Sequence, residues 1–149
     1  MYAIGHISLG YLAGKTLGTA TGKPPNIFLI WILAVLPDID VVMRRFVPHR
    51  GPTHSLILAA VVFAPLLVIR FSQSVPYFAA LAIHSIIGDY FTNGGLQILW
   101  PLSSRWISYS NAIPMGSINE IMLELILFTI MMATIFISKD YKNILPKKI

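Results

Sequence analysis

Acids and histidines are scarce in this chain, and nearly all of them fall inside or at the ends of strongly apolar segments. Its four histidines, His6, His49, His54 and His84, are joined there by five of its six acids, Asp38, Asp40, Asp89, Glu120 and Glu124. Ionisable groups are costly in hydrocarbon and persist there only when paired, bound to a metal or facing an aqueous cavity. Imidazole and carboxylate, in a chain without cysteine, are the donors of a metal centre built without sulfur. These nine groups are the candidate metal ligands, enough for two ions with open positions for water. Zn²⁺ is favoured, with Mn²⁺ or Fe²⁺ also compatible. The chemistry this implies is hydrolysis by metal-activated water at a phosphoryl or carbonyl centre. Arg50 or a second ion would stabilise the developing charge, and Glu124 or Asp40 would move the proton.

The motifs differ in weight. Leu36-Pro37-Asp38-Ile39-Asp40 presents two acids just after a helix-ending proline, although Asp-x-Asp alone also reads as helix capping. His49-Arg50-Gly51-Pro52-Thr53-His54-Ser55 is more specific, because two imidazoles flank a Gly-Pro turn that directly precedes a helix start. Arg50 between them suits a phosphate or carboxylate oxygen in fork geometry. Arg44 and Arg45 read as headgroup or topology residues. His84 and Asp89 are five residues apart and diverge by roughly 140° on a regular helix. Both face one ion only where the turn unwinds or carries a π-bulge, which Gly88 permits. The competing reading makes Asp89 an outer partner that orients an imidazole. Glu120 and Glu124 share a helical face, and Glu120 also reads as a first-turn acid favoured by the helix dipole.

The elements that must position these groups are helical and apolar. With 56% hydrophobic and 11% charged residues in 149 and a mean hydropathy of +0.72, the composition excludes an ordinary soluble domain. It indicates an all-α, polytopic integral membrane helix bundle forming a single domain over residues 1–149. Five apolar segments are expected, Ile4–Thr19, Pro24–Leu36, Ser55–Phe71, Val75–Phe91 and Ile118–Ser138. Only the last reaches the usual spanning length of about 20 residues, so the others imply short, tilted or half-length helices. Pro24 and Pro25 suit a helix start, and Pro37 ends or kinks the second helix. His6, Gly10, Gly14 and Gly18 recur every four residues, a glycine face that lets a neighbour approach beneath the histidine. The first segment carries His6 and Lys15 and lacks a basic leader, so it reads as part of the mature fold rather than a signal peptide. If each segment crosses in turn, every candidate ligand falls at one end of the bundle.

The net charge of +5 comes largely from Arg44, Arg45 and Arg50 in one loop and from Lys139, Lys142, Lys147 and Lys148 in the tail. Such clusters flanking apolar spans suit anionic lipid headgroups rather than nucleic acid. The balance of positive charge places the protein in the cell membrane with a cytoplasmic C-terminus and the site facing outward. A site opening at headgroup level suits a lipid or amphiphilic substrate. The loop Thr92–Ser117, with Trp100, Trp106 and Tyr109, reads as an interfacial anchor or as a cover for the site. One rival is a carrier or channel for a divalent cation or proton, which needs polar groups through the whole depth. The far halves of the third to fifth segments offer only Thr129 and Thr134. The other rival is a non-catalytic, metal-stabilised scaffold, which uses the same ligands.

The ordered pattern of an early His6, Leu36-Pro37-Asp38-Ile39-Asp40, His49-Arg50-Gly51-Pro52-Thr53-His54-Ser55, His84 through Gly88-Asp89-Tyr90, and Leu99-Trp100-Pro101-Leu102 resembles the YdjM-type membrane-bound metal-dependent hydrolases of bacteria and archaea. The resemblance spans most of the chain and weakens after the Trp-Pro segment. That family is distantly similar to zinc-dependent phospholipase C and single-strand nucleases, so the resemblance implies phosphoester hydrolysis without fixing a substrate. The chain departs from the family in spacing His84 and Asp89 by five rather than the usual four residues. The soluble relatives also use a free N-terminal amine as a ligand, and no sequence signal places Met1 in that role.

Overall fold

The computed structural model describes residues 1–92 and 94–144. Helix α1 spans Ala3–Ala20, α2 Ile27–Val35, α3 Leu56–Ile69, α4 Phe71–Ile83 and α5 Ile118–Ile137, and α6 is a single turn at Tyr141–Ile144. Two 3₁₀ segments, Leu36–Val41 and Pro52–His54, and a π-helical segment, His84–Asp89, join them. Among the described residues there is no strand. Two isolated bridges, Thr92 with Ile113 and Leu96 with Ile107, pin the long loop before α5.

Local chemistry sets most of these boundaries. Asn26 caps α2 by accepting the Leu29 N–H at 3.1 Å, so Pro24 and Pro25 precede the cap instead of opening the helix. Pro37 stops α2 at Val35 and turns the chain into the 3₁₀ segment that carries both aspartates, because proline has no N–H for the helical ladder. Ser55 and Ser117 cap α3 and α5 through the Leu58 and Glu120 N–H groups. The break expected over residues 72–74 contracts to Arg70, and α4 begins at Phe71 rather than Val75. The polar Ser72-Gln73-Ser74 stretch is helical because the Arg70 carbonyl accepts from Gln73 and Ser74 N–H. The Ser74 hydroxyl also donates back to the Leu66 carbonyl of α3 at 3.1 Å.

Helix α1 is the hub, packed against α2, α4 and α5. A Cβ on Gly10 would sit 2.3 Å from Ala34 Cβ, and one on Gly14 2.5 Å from Ile30 Cδ1. The glycine face therefore receives α2, as its spacing predicts. Tyr11, Ile30, Ala80, Met131 and Ile135 form the core beside it. The outside is apolar, with Val68 84% and Ile137 83% exposed, while His6, Asp40, His54, His84, Asp89 and Glu120 are buried. This inverts the usual soluble arrangement. Among the described residues, α5 alone is long and apolar enough to cross a membrane, and only 22% of its apolar window is buried inside the molecule. Helix α1, at 18 residues, is long enough but not apolar enough, and α3 is a shorter apolar helix.

At the far end from the histidines lies the acid that no motif singled out. Asp140 accepts hydrogen bonds from the Tyr11 hydroxyl at 2.7 Å and Lys15 Nζ at 2.9 Å, tying α1 to the chain just after α5. Burial works against its ionised form, but Lys15 and Tyr11 outweigh this and hold the carboxyl below the usual carboxylate range. A depressed carboxyl contributes stability above its unfolded value, lost as pH falls through the folded one. Asp140→Asn is therefore expected to lower the unfolding temperature in detergent by about 2–4 °C at pH 7, equivalent to about 1 kcal/mol. The gap from wild type should close as the pH is taken below about 4, and a gap independent of pH would contradict this ion pair. At the near end a Cβ on Gly88 would meet the His6 ring at 2.6 Å. Gly88→Ala should destabilise by about 1–3 kcal/mol through overpacking, measured by thermal unfolding; an unchanged midpoint would mean that His6 does not pack there.

Candidate metal centre

Asp38 from the first 3₁₀ segment, His54 from the second, and His84 and Asp89 from the two ends of the π segment meet at one end of the bundle. The π segment makes this meeting possible. The Tyr90 N–H bonds to the Ser85 carbonyl at 3.1 Å, and this five-residue step widens the turn. His84 and Asp89, five apart, thus share a face that a regular helix would deny them. The expected bulge is present, with Gly88 inside it against His6.

Hydrogen bonds fix which nitrogen of each imidazole faces inward. His84 Nδ1 lies 2.7 Å from the Ala34 carbonyl, which can only accept, so Nδ1 carries the hydrogen and Nε2 the lone pair. His54 Nδ1 lies 3.1 Å from the Thr53 hydroxyl, which itself donates to Asp40 Oδ2 at 2.7 Å, and 3.2 Å from that carboxylate oxygen, so Asp40 orients this imidazole as carboxylates orient metal-binding histidines. The two Nε2 atoms then face each other at 3.1 Å. His54 Nε2 is 3.0 Å from Asp89 Oδ2 and 3.5 Å from Asp38 Oδ1. His84 Nε2 is 3.2 and 3.6 Å from the same two oxygens. A tetrahedron with bonds of roughly 2.0–2.1 Å has donor–donor edges of about 3.3 Å, and these separations bracket that value. Lone pairs and carboxylate oxygens packed this closely repel unless a cation lies among them. Asp89 Oδ2 is buried with no hydrogen-bond partner, as such a ligand oxygen would be.

Charge balance leads to the same conclusion. Asp38, Asp40 and Asp89 bring three carboxylates together, and the Arg50 guanidinium and the Met1 amine lie 2.9 and 3.5 Å from Asp89 Oδ1, which leaves Asp89 Oδ2 buried without a hydrogen-bond partner. Burial favours a neutral His54, yet the Asp38 and Asp89 carboxylates push its pKa up. Burial also disfavours ionised Asp38, yet the imidazoles of His54 and His84 beside it hold its carboxyl below the usual range. Both shifts express a demand for positive charge at this spot.

The remaining candidates surround this cage. Asp38, Asp40 and His49 form a second group at metal-binding distances, but the oxygens of Asp40 are occupied. Oδ1 takes His49 Nδ1 at 2.7 Å, and Oδ2 takes the Arg50 N–H at 2.9 Å and the Thr53 hydroxyl at 2.7 Å. Asp40 thus organises the whole His49–His54 block. Arg50 adopts a left-handed backbone, φ 63°, rare for a residue with a side chain. Its N–H to Asp40 and its carbonyl, which accepts from the Gln97 N–H at 3.0 Å, hold it there. Its Nη2 donates to Asp89 Oδ1 at 2.9 Å and Thr92 Oγ1 at 3.2 Å, orienting a ligand carboxylate. His6 stacks on His84 with ring centroids 3.5 Å apart, its Nε2 3.6 Å from Asp89 Oδ1, and both of its ring nitrogens are buried without a hydrogen-bond partner.

Glu120 and Glu124 belong to neither donor group among the described residues. Glu124 Oε1 accepts the Tyr2 N–H at 2.6 Å, capping the start of α1, and Glu120 Oε2 accepts the Gly116 N–H. The Met1 amine lies 3.3 Å from Glu120 Oε1 and 3.5 Å from Asp89 Oδ1. No motif or spacing pointed to the Ala34 carbonyl or to Thr92. Thr53, within the quoted block, was legible by position but not by role. The mouth of the site is formed by Asp38 and His49, whose side chains are 27% and 31% exposed.

A family model described as "YdjM inner membrane protein" matches residues 1–144. The chain is similar to "Inner membrane protein YbcI" of Escherichia coli (strain K12), 34% identical over 122 residues and covering 68% of each chain. No solved structure matches. The family match takes in every site residue described above and supports a place in the cell membrane. This chain belongs to the YdjM inner membrane protein family.

Proposed function

We propose that the protein is a membrane-embedded, metal-dependent hydrolase of phosphoesters. The observation that carries this reading is the cage of two imidazoles, locked through Nδ1, and two carboxylates at tetrahedral separations. All-nitrogen and oxygen donors of this kind favour Zn²⁺, with Mn²⁺ or Fe²⁺ compatible. Such an ion supplies a Lewis acid that makes water nucleophilic near neutral pH. The chain's own groups do the rest. The Ala34 carbonyl and Asp40 hold the imidazoles, Arg50 steadies Asp89, and Asp38 stands at the opening. His49, partly exposed and held by Asp40 at 2.7 Å, is the group best placed to exchange a proton with a substrate at the mouth. Glu124 and Asp40, foreseen for that step, are engaged with Tyr2 and with the histidine loop.

An amphiphilic substrate fits the surroundings. Val42 and Phe46, 88% and 84% exposed, flank Arg44 and Arg45 beside the second aspartate, apolar and cationic groups that suit an anionic headgroup layer. We further propose a multi-pass arrangement with the site outward and the C-terminus cytoplasmic. Of the tail lysines behind that orientation, Lys147 and Lys148 lie outside the described residues.

Detergent-purified protein is expected to contain stoichiometric metal by elemental mass spectrometry and to hydrolyse a chromogenic phosphodiester. His84→Ala should lose both, and His49→Gln should keep the metal while kcat falls about 10²-fold. Stoichiometric metal with no turnover on a panel of phosphoesters would point to a scaffold, and absence of metal after reconstitution would overturn the reading.

A further inference from the structure

Away from the metal centre, α1, α2, α5 and α6 border a groove of about 540 Å³, within the usual ligand range. Its walls are hydrocarbon, thioether and aromatic, and the polar side-chain atoms among its lining residues are the Trp31 indole nitrogen and the Tyr141 hydroxyl. Trp31 Nε1 is buried and has no hydrogen-bond partner among the described residues. A buried indole N–H ordinarily finds an acceptor, because leaving it unmet is costly. Helix α2 starts at Ile27, at the end of the bundle far from the histidines, and delivers Ala34 to His84. Trp31 lies four residues past that start, about 6 Å along the axis. Ile7, next to His6, and Phe128, one turn past Glu124, carry the apolar walls on toward the cage half. At the far end Asp140 is tied to Tyr11 and Lys15, and α6 folds back against α2, placing Tyr141 and Ile144 on the groove. Lys142 stands on that same turn and Lys139 just before it, both exposed and neither paired with an acid among the described residues. Phe128 and Phe136, 40% and 62% exposed, leave the groove open on its outer side.

We infer that this groove binds one acyl chain of an anionic phospholipid of the surrounding membrane, its ester carbonyl accepting from Trp31 Nε1 and its phosphate beside Lys139 and Lys142. Cations at the end, a single donor about one helical turn below, and hydrocarbon beyond reproduce the order of phosphate, ester and chain in such a lipid. The apolar helix face of a second copy would cover the same walls, but its carbonyls are already paired along the helix, whereas a lipid ester brings a free one. The site lies apart from the metal cage and does not depend on the hydrolase reading.

The test uses protein in phosphatidylcholine nanodiscs containing a minor fraction of phosphatidylglycerol, with either lipid carrying a diazirine in its acyl chain. Photolabelling mapped by mass spectrometry is expected at Phe128, Met131 and Met132 with phosphatidylglycerol, and several-fold more weakly with phosphatidylcholine at equal dose. Trp31→Phe keeps an aromatic ring and removes the donor, and should weaken that labelling about fivefold, the worth of one hydrogen bond. Lys139→Gln combined with Lys142→Gln should erase the preference between the two lipids. Met132→Trp, or Ile7→Phe should the first variant fail to fold, should fill the groove and cut labelling about tenfold with metal content unchanged. Labelling spread evenly over outward residues of α5 such as Leu125 and Ile137 would overturn the inference, as would equal labelling by both lipids or a Trp31→Phe variant that labels like wild type. A groove that neither lipid labels while a crosslinker joins two copies through it would overturn it in favour of self-association.

Discussion

Two buried aspartates, a third at the mouth and three buried imidazoles at one end of an otherwise apolar bundle repel or starve one another unless positive charge is shared among them. Arg50 supplies one such charge at the Oδ1 side of Asp89, where the Met1 amine also lies. On the Oδ2 side, two imidazole lone pairs and a second carboxylate converge with no donor between them. Much of the local architecture serves this convergence. The proline that ends α2 delivers Asp38 and Asp40, the Gly-Pro turn delivers His54, and the π segment brings Asp89 onto the face of His84.

A cluster of this kind would be ruinous if solvated loosely or built on mobile supports. It is held instead by groups that are themselves packed or hydrogen-bonded. The Ala34 carbonyl is set by α2, which seats on the glycine face of α1. Asp40 gathers a side-chain nitrogen, a backbone N–H and a hydroxyl from the His49–Thr53 loop. The Ser55 hydroxyl both caps α3 and donates to the Trp100 carbonyl, and the Leu56 N–H bonds to Ile98, so the Trp-Pro segment is tied to the same block. Preorganisation of this type lets a metal site keep its geometry.

Much of this was legible in the sequence, for reasons that are physical. Hydrophobic content and helix-stop residues gave the helical class and the ends of the segments. The four-residue glycine period gave a face for a neighbouring helix, which is α2, and the five-residue His84–Asp89 spacing let both face one ion only through an unwound or widened turn, which Gly88 permits. Other roles depended on neighbours that spacing cannot name. A shared helical face for Glu120 and Glu124 did not reveal that this face meets the start of α1 and caps it. Asp140 carried no motif because its partners, Tyr11 and Lys15, are far away in sequence. Arg50 between two histidines suited a phosphate or carboxylate oxygen, and spacing could not name the Asp89 carboxylate as the one its guanidinium reaches. The early start of α4 depended on a hydroxyl returning to a carbonyl of the preceding helix.

The central claim is that two imidazoles and two carboxylates hold one ion at this end of the bundle. X-ray absorption at the edge of the metal that copurifies with the protein tests it most directly. The account predicts nitrogen and oxygen neighbours alone at about 2.0–2.1 Å, with the outer-shell scattering of two imidazoles, lost to one in His54→Ala. A spectrum without imidazole scattering, or one unchanged by that substitution, would contradict it.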